Sequence, residues 1–186
     1  MRCFKTTVVL IALLITQSVY AQRTSSGEGH ISIIGNWTIS SVGGELMGGQ
    51  YTMYGQWFAA IDFLNRAEKE ATEKYYFPQI QFAGGYLYRI YGNKPRSFNV
   101  YTGADAFIGI ELFDLYKSLS GPTKKAFINN GFTDTRFIFG LAPRVEVEYF
   151  FLRNLGLSAR MRLPICFLTK FNTVAFEIGA GVKFNF

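Results

Sequence analysis

The sequence predicts an all-β protein, an antiparallel eight-stranded transmembrane β-barrel of the outer-membrane type. Long segments alternate between apolar and polar residues, as strands with two different faces do. Several of these segments reach ten residues or more, as in 98–112, whereas soluble strands average about five or six residues and a tilted membrane-crossing strand needs about 9–11. Aromatic residues lie near the segment ends, where such a barrel meets the two membrane interfaces.

Composition and length limit the possible protein classes. The 186 residues are 49% hydrophobic and only 17% charged, which excludes a disordered chain. A chain of this length is expected to form one domain. His30 is the only histidine, so catalytic sites that need several histidines are excluded.

The first 21 residues have the pattern of a secretory signal peptide. Arg2 and Lys5 precede an apolar run at 8–15, and the small residue Ala21 lies at the expected cleavage point. An uncleaved anchor helix is the alternative, but the run is shorter than the roughly 20 residues of a helical span. We therefore expect residues 1–21 to be removed and residues 22–186 to form one barrel domain.

After cleavage one cysteine, Cys166, remains, so no internal disulfide is expected. A small apolar packing role is favoured over a reactive thiol.

Five segments show the period-two pattern most clearly. In the last one, Phe176, Ile178, Ala180 and Val182 share one face, while the intervening residues are glycine or charged. The five segments are 79–90, 98–112, 136–149, 155–164 and 175–186.

The connections between strands alternate between long and short, as they do in outer-membrane barrels. Backward from the C-terminus, the links are 167–171, the tight 152–154, the long 113–133 and the tight 92–95. The next link, 65–75, is long and charged, and we interpret it as a solvated outer loop rather than a short helix.

The N-terminal third is less regular. A first strand at 31–39 is followed by a segment with four glycines at 43–49, which we interpret as a flexible outer loop. The segment 50–64 is either one strand or two strands with a turn near Gly55. Because single-chain bacterial barrels have even strand numbers, we split it there, which gives eight strands with both termini in the periplasm.

A soluble lipocalin-like barrel is the alternative fold, and its apolar face would point inward around a ligand. Over the five clear strands, however, the apolar face is nearly free of charge. The other face carries glycine and long charged residues, which suit a narrow lumen. These features favour the membrane barrel.

Charged residues on the predicted inner face indicate a packed lumen rather than an open pore. Five are positive and six negative: Asp62, Arg89, Asp105, Glu111, Arg144, Glu146, Glu148, Arg160, Arg162, Glu177 and Lys183. Because an eight-stranded barrel is only wide enough for side chains and unpaired buried charges are costly, we expect these residues to pair. A proton or ion path is the alternative. If the lumen is packed, function would reside in the outer loops, the periplasmic rim or lateral contacts with a partner.

An enzyme is not predicted. The chain has no H-E-x-x-H, G-x-S-x-G, P-loop or C-x-x-C motif, and a catalytic triad would have to recruit His30 from before the first strand. No cofactor or metal is expected. Removal of residues 1–21, with Arg2 and Lys5, lowers the net charge from +6 to +4. Because this excess is modest and several cations point into the barrel, it does not predict nucleic-acid binding.

Four segments resemble the TraO family of conjugative-transposon proteins. They are FPQIQFAGGYL at 77–87, YTGADAFIGIE at 101–111, GLAPRVEVEYF at 140–150 and FEIGAGVKF at 176–184. The resemblance covers about residues 57–186 and implies a Gram-negative outer-membrane component of a DNA-transfer apparatus, with other conjugation proteins as partners. The alternatives are a stand-alone surface barrel for adhesion, recognition or envelope integrity and, less favoured, a barrel enzyme acting on lipid.

The C-terminal strand is the predicted assembly signal. Its alternating apolar face ends in Phe184 and Phe186, which resembles the signal that the barrel-assembly machinery reads. In lipid the last strand must also pair with the first, because no water satisfies an open edge. Outer-membrane lipid and the assembly machinery are therefore expected partners.

Overall fold

The computed structural model describes residues 26–39, 41–70, 73–92, 98–112, 135–169 and 174–186. All of its strands join one antiparallel sheet. The strands are β1 (Gly29–Thr38), β2 (Ser41–Tyr51), β3 (Gly55–Glu70), β4 (Glu73–Tyr91), β5 (Phe98–Glu111), β6 (Arg136–Phe150), β7 (Leu155–Arg162), β8 (Ile165–Phe167) and β9 (Glu177–Asn185).

The sheet closes into a barrel of eight strands. Strand β1 pairs with both β2 and β9, so the first and last strands meet. Strands β7 and β8 pair with consecutive parts of β6, and they form one barrel strand that is interrupted at Leu163 and Pro164. Proline has no N–H to donate to a neighbouring strand, which explains the interruption. The predicted eight-stranded antiparallel barrel is confirmed.

The two faces of the wall differ as a membrane barrel requires. Burial alternates residue by residue along β5 and β6, and the buried face carries charged residues, small residues and a few large ones such as Tyr101 and Phe107. Large apolar residues such as Phe82, Ile108 and Val182 are about half exposed on the outside. The lipocalin-like alternative, with its apolar face inward, does not fit. Among the described residues, no helix is long and apolar enough to cross a membrane.

The glycine-rich segment 43–49 was wrongly predicted to be a loop, because it lies within strand β2. Its glycines allow close strand packing. A Cβ atom on Gly43 would overlap the carbonyl oxygen of Phe63, and one on Gly49 would overlap that of Trp57. The predicted turn near Gly55 is present, since β2 ends at Tyr51 and β3 begins at Gly55.

The interpretation of 65–75 as a loop was also wrong. Strand β3 continues to Glu70 and β4 begins at Glu73, so this charged segment is the end of a long hairpin. Ladder pairing through the backbone does not require an apolar face, so charged residues continue the strands. The predicted signal peptide, the link 113–133 and most of the link 92–95 lie outside the described residues.

The barrel has two distinct ends. The start of β1, the end of β9 and the turns 52–54 and 151–154 lie together at what we call the termini end. The β3–β4 hairpin extends from the opposite end, which we call the hairpin end.

Candidate functional site: the charged lumen

The lumen contains a group of charged side chains, each at most 2% exposed. Six are carboxylates and four are cations. We call this group the central lumen network: Glu45, Asp62, Asp105, Arg144, Glu146, Glu148, Arg160, Arg162, Glu177 and Lys183. They come from β2, β3, β5, β6, β7 and β9, because the alternation of each strand directs them inward.

Near the termini end, Lys183 joins two glutamates of β6. Its Nζ donates to Glu146 Oε1 at 3.0 Å, to Gln56 Oε1 at 2.8 Å and also to Glu148 Oε1. Glu148 accepts two further hydrogen bonds, from the Tyr51 hydroxyl at 3.1 Å and from the Gln56 amide at 3.1 Å. Each charge in this cluster is therefore neutralised by a direct partner.

Arg144 continues the network toward the middle of the lumen. Its Nη2 lies 2.8 Å from Glu146 Oε2 and 3.3 Å from Glu45 Oε1. The guanidinium carbon also lies 4.5 Å above the centre of the Phe58 ring, a cation–π arrangement. Arg144 thus links the Lys183 cluster to Glu45.

Two arginines of β7 connect the remaining carboxylates. Arg162 forms a bidentate ion pair with Asp105, in which Nη2 lies 2.6 Å from Oδ1 and Nε lies 3.1 Å from Oδ2. Its Nη1 also lies 3.1 Å from Asp62 Oδ2. Arg160 contacts Glu45, lies 3.0 Å from Glu177 Oε1 and lies 3.4 Å from Asp62 Oδ1. The bidentate geometry of Arg162 and Asp105 is the strong form of an arginine–carboxylate pair.

Two residues predicted for the inner face lie apart from the network. Arg89 is half-buried at the termini end, where its Nη2 donates to the Met53 carbonyl at 2.7 Å. Glu111 is buried toward the hairpin end and accepts a hydrogen bond from Thr169 Oγ1 at 2.6 Å. The other nine predicted residues all belong to the network.

Sequence reasoning missed Glu45 and Arg66. Glu45 was overlooked because its segment was interpreted as a loop. It lies two residues from both Gly43 and Met47, on the same face of the strand, and this period-two spacing could have revealed it. Arg66 is buried, and its Nη2 donates to Cys166 Sγ at 3.8 Å. Cys166 itself is buried in the apolar cluster of the lumen.

The network occupies the lumen with paired groups rather than with a binding cavity. Burying a charge is costly unless a partner and hydrogen bonds compensate for it, and each of its ten residues has at least one oppositely charged neighbour within 4 Å. Within the described ranges, no cluster of histidine, cysteine or acidic residues could hold a metal ion. The arrangement holds opposite walls of the barrel together.

Phe184 and Phe186 lie on the outside of the wall at the termini end, 47% and 65% exposed. The backbone of Phe186 exchanges two hydrogen bonds with Gly29, at 2.9 and 3.0 Å. The closing strand therefore pairs with the first strand up to its last residues.

Comparison with known proteins gives one family and several similar folds. A family model described as conjugative transposon protein TraO matches residues 46–186, while no curated protein sequence matches the chain. The N-terminal β-barrel domain of Pseudomonas aeruginosa OprF is similar at a TM-score of 0.57 and 12% identity, covering 88% of this chain and 100% of that one.

Two further structures are similar. Neisserial surface protein A has a TM-score of 0.56 and 16% identity, with 87% of this chain and 98% of that one covered. Yersinia pestis Ail, the attachment invasion locus protein, was solved with the heparin analogue sucrose octasulfate and has a TM-score of 0.52 and 14% identity, with 87% and 100% covered. At these identities the likeness concerns the fold.

Proposed function

The chain belongs to the TraO family of conjugative transposon proteins, and from this premise we propose that it is a non-enzymatic outer-membrane component of a DNA-transfer apparatus. It acts through its loops, its periplasmic rim or lateral protein contacts rather than as an open pore. The termini end faces the periplasm, because the turns 52–54 and 151–154 are short and periplasmic turns of such barrels are short.

The central lumen network is the observation that carries this proposal. A pore needs a continuous aqueous path, whereas Arg144, Arg160, Arg162 and Lys183 are all held between carboxylates inside the barrel. Opening a path would separate these pairs and leave buried charges uncompensated, which is costly. A protein with such a lumen contributes surfaces to an assembly rather than a channel.

At the periplasmic rim, the turn 52–54 is the best-prepared contact surface. Met53 and Tyr54 are 61% and 59% exposed. The turn is held rigid by Arg89, which donates its side chain to the Met53 carbonyl and its backbone N–H to the Tyr54 carbonyl. Preorganised apolar side chains favour protein contacts because little entropy is lost on binding.

The transfer frequency between donor and recipient cells tests the proposal. Deletion of the gene should abolish or strongly reduce transfer, and the wild-type gene should restore it. A double variant, Met53→Ala with Tyr54→Ala, should restore less than wild type if the rim is the contact. Leu168→Ala is the matched control, since Leu168 is 64% exposed at the hairpin end.

The outcomes are separable. Loss of transfer in the Leu168→Ala variant, but not in the double variant, would place the contact at the hairpin end rather than at the periplasmic rim. Undiminished transfer by the deletion strain would contradict the conjugative role and favour a stand-alone surface barrel.

In planar bilayers, the purified protein should show no stable porin-sized conductance, and reproducible large steps would contradict the closed lumen.

A further inference from the structure

A polar cavity of about 190 Å³ lies at the termini end, outside the central lumen network. It opens where the start of β1, the β6–β7 turn and the end of β9 meet. Its lining residues are Glu28, Arg153, Asn154, Asn185 and Phe186. The cavity is lined by one acidic residue, one basic residue, two asparagines and one aromatic residue, and it has room for a small polar group.

Backbone hydrogen bonds fix the walls of this cavity. The Asn185 N–H donates to the Asn154 carbonyl at 2.8 Å, and the Tyr51 N–H donates to the Glu28 carbonyl at 3.0 Å. Asn185 is only 4% exposed, whereas Arg153 lies exposed on the turn. The backbone around the cavity is thus fixed before a ligand arrives, and the exposed side chains of Arg153 and Asn154 have to be ordered.

The position of the cavity relates it to the lipid phase. Phe186 is 65% exposed on the outer face of the wall, in line with Phe184 on the same strand. On the proposed orientation, on which this inference rests, these rings mark the periplasmic membrane interface. A group that enters the cavity past Phe186 comes from the head-group layer of the membrane.

We propose that this cavity binds the phosphoethanolamine head group of a phospholipid. The phosphate lies against the Arg153 guanidinium and the Asn154 carboxamide N–H group, because guanidinium and phosphate form strong charge-assisted hydrogen bonds. The ammonium lies against the Glu28 carboxylate and donates N–H bonds to it. The acyl chains extend along Phe186 into the membrane.

The head-group chemistry makes the proposal specific. A phosphatidylglycerol head group offers the phosphate but no ammonium. A phosphatidylcholine head group carries a positive charge but no N–H donor. Phosphatidylethanolamine alone among the three supplies both the anion for Arg153 and the N–H donors for Glu28.

Native mass spectrometry of the folded chain from Gln22 onward tests this binding. The protein in detergent is mixed with equal amounts of the three phospholipids, and retained lipids are counted. Phosphatidylethanolamine should be retained about fivefold more than either competitor, the effect of a difference of about 1 kcal/mol. Equal retention of the three lipids would overturn the proposal.

Variants separate the two halves of the site. Glu28→Gln should remove the preference for phosphatidylethanolamine over phosphatidylglycerol, and Arg153→Gln should lower retention of all three lipids. Arg89→Gln is the matched control, because Arg89 is a cation at the same end that does not line the cavity. An unchanged preference in Glu28→Gln, or an equal loss in Arg89→Gln, would contradict the assignment. Because retention is measured on isolated protein, its result is independent of the transfer assay.

Discussion

Two groups of buried polar side chains in the lumen differ in the partners that surround them. At the termini end, Lys183 and Glu148 are joined directly, and Tyr51 and Gln56 supply further hydrogen bonds. Toward the hairpin end, Gln79 and Gln81 are equally buried, yet none of their four amide atoms has a hydrogen-bond partner among the described residues. Lys183 and Glu148 are thus surrounded by partners, whereas these two neutral amides are not.

This difference indicates which side chains of the lumen hold the barrel closed. Removing one member of a buried ion pair leaves an uncompensated charge, which is far more costly than removing a neutral polar group. The closing strand β9 contributes Glu177 and Lys183 to the network and also pairs with β1. Substitutions of Lys183 and its partners should therefore have large effects, and substitutions of Gln79 or Gln81 small ones.

The largest effect is expected from deletion of residues 184–186. The deletion removes two outward aromatic rings at the membrane interface and the hydrogen bonds between Phe186 and Gly29. An unpaired strand edge is not tolerated in lipid, so the truncated chain should fail to insert and should be degraded in the periplasm. Cell fractionation and heat-modifiable migration in gel electrophoresis measure this.

The matched change at the hairpin end is an epitope tag inserted between Ala71 and Thr72, beyond the last paired residues of β3 and β4. The tagged protein should insert normally and migrate as wild type does. Normal insertion of the truncated chain would remove the main support for Phe184 and Phe186 as the assembly signal.

Lys183→Met should have the second largest effect. It leaves Glu148 without its cationic partner, although Glu146 keeps Arg144 at 2.8 Å. Loss of one partner of a buried pair typically costs about 3–5 kcal/mol, so the free energy of unfolding in urea with lipid vesicles should fall by that order. The double variant Lys183→Met with Glu148→Gln should recover a large part of the loss, because the remaining charge is removed as well. Additive losses would contradict the pairing.

The regular strands of the barrel could be predicted from the sequence, because an outward apolar face and a narrow lumen impose a strict alternation on every residue. The inward positions of Asp105, Arg162 and Lys183 follow from that alternation alone. Which cation meets which carboxylate could not be predicted, because the partners of Arg162 come from β3 and β5, across the lumen.

The errors have a physical cause as well. In β2, glycine suits close strand packing but resembles loop composition. In the β3–β4 hairpin, the strands extend past the region where lipid would impose alternation, so charged residues gave a loop-like pattern. The position of Arg66 beside Cys166 is a contact across the lumen between β3 and β8, which do not pair with each other, and local sequence does not encode it.

Tyr51→Phe should have an intermediate effect. It removes the phenol hydroxyl, which donates to Glu148 Oε2 at 3.1 Å and contacts Asn185 Oδ1 at the longer distance of 3.5 Å, and it keeps the ring that packs against His30. A hydrogen bond to a charged group contributes about 1.5–3 kcal/mol, so the free energy of unfolding should fall by less than in Lys183→Met. A loss as large as that of Lys183→Met would indicate that the hydroxyl, rather than the lysine, is the main partner of Glu148.

The smallest effect is expected from Gln81→Leu, toward the hairpin end. Gln81 is fully buried, and its amide atoms have no hydrogen-bond partner among the described residues. A buried polar group without a partner costs about 1–3 kcal/mol, so an apolar side chain of similar size should not destabilise the barrel, and the free energy of unfolding should equal or slightly exceed that of wild type. The same urea titration measures it, with Gln56→Leu as the matched control because the Gln56 amide contacts both Lys183 and Glu148. The control should be clearly the less stable of the two. If both glutamine variants lost the same stability, Gln81 would hold the barrel as firmly as the charged cluster does, and the contrast between the two groups of side chains would be wrong.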